Sequence, residues 1–162
     1  MTPKISVCLW FDDQAEEAVS FYASVFKESK IGAVTRYEGE GARVAGKPSG
    51  SVMAIEFELN GQPFVALNGG PQYKFTPAMS LVVNCRTQAE VDHYWERLSA
   101  GGQPVQCGWL TDRFGVSWQI VPTVLPQMLT DKDPDKARRV MAAMLKMTKL
   151  DIATLERAHT GP

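Results

Sequence analysis

Several features that would point to a class of function are missing from this chain of 162 residues. Lys and Arg number 17 against 18 Asp and Glu, so the formal net charge is −1, and no cation cluster of the kind that nucleic-acid-binding proteins carry is present. No apolar run is long enough to span a membrane, and the first residues lack the apolar segment of a secretory signal. We therefore expect a cytoplasmic protein that binds neither nucleic acid nor membranes.

Cysteine and histidine, which often hold metals, are also scarce. The three cysteines, Cys8, Cys85 and Cys107, lie in strand-like runs without CxxC spacing. This predicts small buried residues in a reducing compartment; a reactive thiol is the alternative. Of the two histidines, His93 lies within a predicted helix and His159 near the C-terminus. A solvated side chain is the simplest interpretation of both.

What the chain does contain is one pattern that occurs twice. A strand-like run that begins at Ser6 leads to an amphipathic helix after Gln14, and both features recur 74 residues later, at Ser80 and Gln88. Further strands follow each helix. The sequence therefore predicts a repeated β-α-β-β-β unit, with chance similarity between two amphipathic helices as the alternative.

In the first copy, Asp12 or Asp13 is expected to cap a helix that ends near residue 26. The Asn60-Gly61 pair predicts a two-residue hairpin turn, and the glycine-bearing segment 38–50 predicts a flexible loop. The strands of this copy are predicted over residues 5–11, 31–37, 52–59 and 64–68.

The chain after Pro122 changes to a helical pattern. Asp133 followed by Pro134 predicts the start of one helix, and Asp151 predicts the start of another. We expect an α+β protein with a first module over residues 1–70, a second over 78–122 and a helical extension over 123–160, all in one structural unit.

The most distinctive stretch is residues 107–122, which reads as strand, turn and strand. Asp112 and Gly115 supply the turn chemistry, which favours a structural over a catalytic role for Asp112. In the last strand Ser117, Gln119 and Val121 share one face, since side chains alternate along a strand. Two polar residues on one face of this strand suggest the wall of a cavity.

This stretch resembles a known family. GWLTD at 108–112 and FGVSWQIVP at 114–122, supported by LNGGP at 67–71 and MLKM at 144–147, are similar to the PhnB-like family. Its members are also labelled 3-demethylubiquinone-9 3-methyltransferase domains and belong to the vicinal oxygen chelate (glyoxalase/bleomycin-resistance) superfamily. The resemblance implies two β-α-β-β-β modules whose sheets form a curved cup, and a homodimer.

The resemblance also implies positions for a divalent metal on the first and last strands of each module. Those positions fall on Ser6, Ala66, Ser80 and Gln119. Only Gln119 is a plausible ligand type, and a metal site normally needs three or four ligands. We therefore expect no cofactor and no metal centre of the usual kind, although an unorthodox divalent metal site stays open.

Two readings of the site remain. In the first, the cup binds a small molecule through a mixture of apolar and polar side chains. The predicted ligand-binding residues are Trp10, Phe64, Asn68, Val82, Asn84, Ser117 and Val121. In the second, the protein is a lyase, isomerase or dioxygenase that uses either an unorthodox metal site or Glu56 as general base, with Gln119 as the other catalytic residue. A solvated or lysine-paired Glu56 is the alternative.

Two further possibilities concern the family label and the cup itself. Methyl transfer from S-adenosylmethionine usually needs a glycine-rich turn between a strand and a helix, and no glycine cluster here has that context. We therefore take the label as a family name. The cup could also be filled by the tail or by a second subunit, which would make the protein an interaction module.

Overall fold

The computed structural model describes residues 4–161, which divide into two compact units between Phe75 and Thr76. The first unit contains four strands, one long helix and one short helix. In chain order these are β1 (Val7–Phe11), α1 (Ala15–Val25), β2 (Ser29–Arg36), α2 (Gly39–Ala45), β3 (Val52–Leu59) and β4 (Gln62–Asn68). The strands form one sheet in the order β1-β4-β3-β2, in which only β1 and β4 run parallel.

Alternation along the strands gives the first sheet one covered face and one open face. Leu9, Ile55 and Phe57 point to the covered face and are buried together with Ala18 and Tyr22 of α1. The rings of Tyr22 and Phe57 stack with centroids 6.4 Å apart. Because α1 has apolar residues at helical spacing, it buries the apolar side of the sheet and leaves the other side accessible.

Two local features of the first unit differ from expectation. Neither Asp12 nor Asp13 caps α1, whose N-cap position is Gln14 without a side-chain cap. Segment 38–50 is not all loop, because it contains α2. The glycines suggested a loop, but α2 has an Arg43–Glu40 side-chain hydrogen bond and ends at Gly46 in the left-handed conformation that suits a C-terminal cap.

The second unit repeats the topology of the first. Its elements are β5 (Leu81–Cys85), α3 (Gln88–Ser99), β6 (Gln103–Pro104), β7 (Trp109–Thr111) and β8 (Ser117–Pro122). The sheet order is β5-β8-β7-β6, again with the first and last strands parallel and the other pairs antiparallel. The predicted β-α-β-β-β repeat is therefore present.

The second unit continues into three helices. They are α4 (Leu125–Leu129), α5 (Pro134–Met144) and α6 (Ile152–Thr160). Asp133 and Asp151 cap α5 and α6 as predicted, by accepting hydrogen bonds from backbone N–H groups of the first turn. Within residues 4–161, no helix is both long and apolar enough to cross a membrane.

The helical extension is fixed to the second module by polar contacts as well as by its own apolar cluster. The Gln88 amide donates to Leu150 O at 3.2 Å and accepts from Ile152 N at 2.9 Å. Lys149 pairs with Asp92 at 2.6 Å. Leu125, Val140, Leu150 and Leu155 form the buried cluster of the extension.

Candidate functional site

The open face of the second sheet carries most of the predicted site residues. We call it the second open face. It comprises Ser80, Val82 and Asn84 on or just before β5, Ser117, Gln119 and Val121 on β8, and Trp109 and Thr111 on β7. The opposite face is buried, with Val83, Ile120 and Leu110 all below a tenth exposed. The predicted alternation of β8 is confirmed.

Gln119 lies at the centre of this face. The strand register places Val82 beside it on β5 and Trp109 beside it on β7. Its Nε2 donates a hydrogen bond of 2.9 Å to Ser80 Oγ. Val82, Gln119 and Trp109 thus form a row across three neighbouring strands, which lie about 4.8 Å apart. The row presents an apolar side chain, an amide and an indole.

The side chains of the second open face differ in access. Val82 is 51% exposed, Asn84 is exposed, and Gln119, Trp109 and Thr111 are half-buried. Ser117 is buried, and Val121 packs against the apolar cluster of the helical extension. The accessible part of the face is therefore the row of Gln119 together with Asn84 and Thr111.

Asp112 lies in the turn that joins β7 to β8 and is only 3% exposed. Its Oδ1 accepts from Phe114 N at 2.9 Å and Val116 N at 3.0 Å, and its Oδ2 accepts from the Trp118 indole at 2.8 Å. All these donors belong to the hairpin itself. The carboxylate therefore fixes the hairpin register, which sets Trp109 opposite Gln119, as the structural interpretation of Asp112 predicted.

The first open face, on the other sheet, has a different character. It carries Cys8, Trp10, Ala54, Glu56, Glu58, Val65 and Leu67. Glu56 is exposed, and Glu58 pairs with Lys30 at 3.7 Å. Cys8, predicted to be buried, is exposed because it points to this open face, although partial desolvation raises the pKa of its thiol. Glu56 and Gln119, both predicted to be catalytic, belong to different sheets, as their places in the two modules imply.

Trp10 is held at the end of the first open face. Its indole N–H donates to Gly70 O at 2.8 Å, and Tyr73 meets its ring edge-on with centroids 4.9 Å apart. A Cβ on Gly69 would lie 2.3 Å from the ring. Trp10 therefore serves to pack the chain that follows β4.

Phe64 and Asn68, both predicted to bind ligand, lie on the covered face of the first sheet. Phe64 stacks on Phe57 with centroids 5.1 Å apart. The Asn68 side chain accepts from Ala15 N at 2.8 Å and donates to Val52 O at 3.1 Å. It therefore caps α1 from another strand, the role expected of Asp12 or Asp13.

The positions implied for a metal do not form a suitable donor set. Ala66 is fully buried on the covered face. In the second sheet Gln119 pairs with Val82, and the equivalent pair in the first sheet is Val65 with Cys8. The counterpart of Gln119 is therefore Val65. Ser6 and Ser80 would offer only neutral hydroxyls, which are poor ligands. Among residues 4–161, no three His, Cys, Asp or Glu side chains are grouped as metal ligands would be.

Trp109 and Thr111 were not among the predicted site residues. The signal that could have found them is the five-residue connection 112–116, because a hairpin pairs residues at equal distances from the segment that joins its strands. Trp109 and Gln119 form one such pair, and Thr111 and Ser117 form another.

The sequence and fold comparisons agree with this architecture. Residues 3–121 match the profile of the 3-demethylubiquinone-9 3-methyltransferase family. A putative 3-demethylubiquinone-9 3-methyltransferase, PhnB protein, from Bacillus cereus is 36% identical over 75% of this chain and 100% of its own, with a TM-score of 0.66. No curated protein is significantly similar to the chain.

More distant structures show the fold alone. Protein PA1353 from Pseudomonas aeruginosa is 20% identical over 75% of this chain and 98% of its own, with a TM-score of 0.59. The fosfomycin resistance protein FosX from Listeria monocytogenes is 14% identical over 78% and 98%, with a TM-score of 0.53. With a family profile that matches most of the chain and a 36% identical PhnB protein of the same family, the chain belongs to the 3-demethylubiquinone-9 3-methyltransferase (PhnB-like) family.

Proposed function

We propose that this protein binds a small organic molecule on the second open face, through hydrogen bonds and apolar contacts and without a divalent metal. The observation that carries the proposal is the row of Val82, Gln119 and Trp109, in which an oriented amide lies between two accessible apolar side chains. Small-molecule sites are commonly built from apolar walls and a few well-placed polar groups.

The orientation of Gln119 supports this proposal. A free glutamine side chain loses rotamer freedom when it binds a ligand, and this loss weakens binding. The hydrogen bond to Ser80 restricts the amide before a ligand arrives. Ser80 is thus a positioning residue in the proposed site. The turn held by Asp112 keeps Trp109 in register beside Gln119.

The second candidate function, catalysis with Glu56 as general base, has less support. Glu56 is exposed on the first sheet, and its neighbours in the row are Val65 and Cys8. A general base must lie within hydrogen-bond reach of the proton that it removes. The paired neighbour of Glu56 on β4, Val65, offers a substrate no hydrogen bond.

The proposal can be tested by a thermal-shift screen of small aromatic molecules in the presence of EDTA. A ligand at 100 times its dissociation constant stabilises a protein by about 2.7 kcal/mol, which raises the melting temperature by several degrees. We expect such shifts to persist with EDTA and to disappear in Gln119→Leu, which removes the amide at similar volume.

The matched control is Val65→Thr, at the corresponding position of the first sheet, which should keep the shifts. Shifts that survive Gln119→Leu, or that require an added metal, would contradict the proposal. So would a screen in which no molecule stabilises the protein.

We also propose that two copies of the chain associate through α5. Met141 and Leu145, one turn apart, are 40% and 59% exposed, and long apolar side chains on a helix are typical of subunit contacts. Light scattering after size exclusion should give a dimer at micromolar concentration and a monomer for Met141→Glu/Leu145→Glu. A wild-type monomer would overturn this.

A further inference from the structure

We propose that the second open face selects an uncharged, planar ligand whose hydrogen-bond donor and acceptor lie side by side, as in an aromatic carboxamide, and that it discriminates against anions. This inference rests on the proposed function and adds the chemical class of the ligand.

The strands of the second sheet contribute no charged side chain to the second open face. Its side chains are Ser80, Val82, Asn84, Trp109, Thr111, Ser117, Gln119 and Val121, and Gln103 of β6, which pairs with Thr111, is neutral as well. The first open face carries Glu56 and Glu58, with Lys30 paired to the latter. An ionised ligand group placed on the second face would lose hydration without meeting an opposite charge, which is unfavourable.

Gln119 and Trp109 keep hydrogen-bonding groups that no described residue uses. Gln119 uses one N–H on Ser80, so its second N–H and its Oε1 have no partner among residues 4–161. The Trp109 indole N–H likewise has no acceptor in the described part of the chain. The indoles of Trp10 and Trp118, in contrast, donate to Gly70 and Asp112 at 2.8 Å.

These groups define what the ligand must offer. The N–H groups of Trp109 and Gln119 require an acceptor, and Gln119 Oε1 requires a donor. A carboxamide or lactam provides both on adjacent atoms, whereas a carboxylate provides only acceptors. A carboxylate would therefore leave Oε1 facing another acceptor, at a cost in affinity.

The spacing of the three side chains in the row suits a planar ligand. Val82 and Trp109 flank Gln119 on the two neighbouring strands, so they are about 10 Å apart across the sheet. A flat ring can lie on either apolar neighbour while its amide reaches Gln119.

Two matched ligand pairs test the proposal, benzamide with benzoate and 2-naphthamide with 2-naphthoate. The members of each pair have almost the same shape and differ in charge and in hydrogen-bond donors. Dissociation constants measured by ligand-observed NMR should favour the amides by at least about tenfold in the wild-type protein. Gln119→Leu should weaken amide binding by about the same factor.

A gain-of-function variant provides an independent readout. Asn84→Lys places a cation on the accessible part of the second face and should raise the ratio of carboxylate affinity to amide affinity several-fold. Glu56→Lys makes a larger change of charge on the first open face and should leave both ligands unaffected.

The outcomes separate the two levels of the proposal. If carboxylates bind as tightly as amides and Gln119→Leu weakens both, the site stands and the ligand class is wrong. If neither Gln119→Leu nor Asn84→Lys changes binding, or if neither amide binds at millimolar concentration, both the proposed ligand class and the proposed site are wrong.

Discussion

The two modules share one topology and differ in what their open faces carry. In both, the first strand runs parallel to the last and a helix covers one face of the sheet. The central row reads Cys8, Val65, Glu56 in the first module and Val82, Gln119, Trp109 in the second. The covered faces preserve the fold, so the open faces are where the two modules diverge in chemistry.

The modules also hold their helices and turns by different means. The N-terminus of α1 is capped from a distance by Asn68, whereas α3 is capped locally by Thr87 and Glu90. The first module turns at Asn60-Gly61, with φ of 47° and 79°, and the second turns around the Asp112 carboxylate. Each difference gives a measurable contrast in stability.

The largest expected effect comes from the two turns. Asp112→Ala removes the acceptor of three hydrogen bonds, two of them buried, and should lower the free energy of unfolding by about 4 kcal/mol, since each orphaned buried donor costs about 1–3 kcal/mol. Asn60→Ala only forces alanine to a positive φ and should cost about 1 kcal/mol.

Urea unfolding followed by tryptophan fluorescence would measure both variants. Asp112→Asn is the control, because the Oδ1 of asparagine can still accept the two backbone hydrogen bonds. This variant should therefore lose less unfolding free energy than Asp112→Ala. Equal costs for the two alanine variants would contradict the contrast between the turns.

A smaller contrast is expected between the caps. Asn68→Ala removes the cap of α1 and also the donor to Val52 O, both at a site only 6% exposed, and should cost about 2–3 kcal/mol. Thr87→Ala removes one exposed cap and should cost about 1 kcal/mol. Equilibrium denaturation tests the order, and a larger loss for Thr87→Ala would reverse it.

The smallest expected effect is a difference in acid sensitivity. The pKa of Asp92 is lowered, first by Lys149 and then by Gln88, and the pKa of Asp151 is lowered by Thr154. A carboxyl with a lowered folded pKa stabilises the protein above its unfolded pKa, near 3.9 for Asp. That contribution is lost as the pH falls through the folded value.

Both carboxyls hold the helical extension, so acid should loosen residues 123–161 before the first sheet. Hydrogen exchange at pH 7 and pH 3 would show this order. In Asp92→Asn the extension should be less protected at pH 7, and its protection should change less with pH. Earlier loss of protection in β3 and β4 would contradict the expectation.

The sequence was most informative where a structural feature depends on near neighbours. The caps at Asp133 and Asp151, the Asn60-Gly61 turn and the alternation of β8 are all local, and all were predicted. The repeat was visible because both copies keep the same strand-to-helix spacing. These features need no knowledge of which strands become neighbours.

The features that were missed depend on contacts between distant residues. Asn68 was assigned to a ligand pocket, but it caps a helix that begins 53 residues earlier in the chain, and no local pattern marks that role. Ala66 was placed one residue out of register, and because the strand period is two, this shift moves a side chain to the other face. The side chains that share the row of Gln119 depend on the same cross-strand register.

The central claim is that the second open face binds an organic ligand and that the first does not. Chemical-shift mapping with ¹⁵N-labelled protein, 2-naphthamide and EDTA tests it most directly. The account predicts perturbed signals for the Gln119 side-chain amide, the Trp109 indole N–H and the backbone of β5 and β8, with β1 and β4 unchanged. Perturbations centred on Cys8, Val65 and Glu56, or confined to a metal-loaded sample, would contradict it.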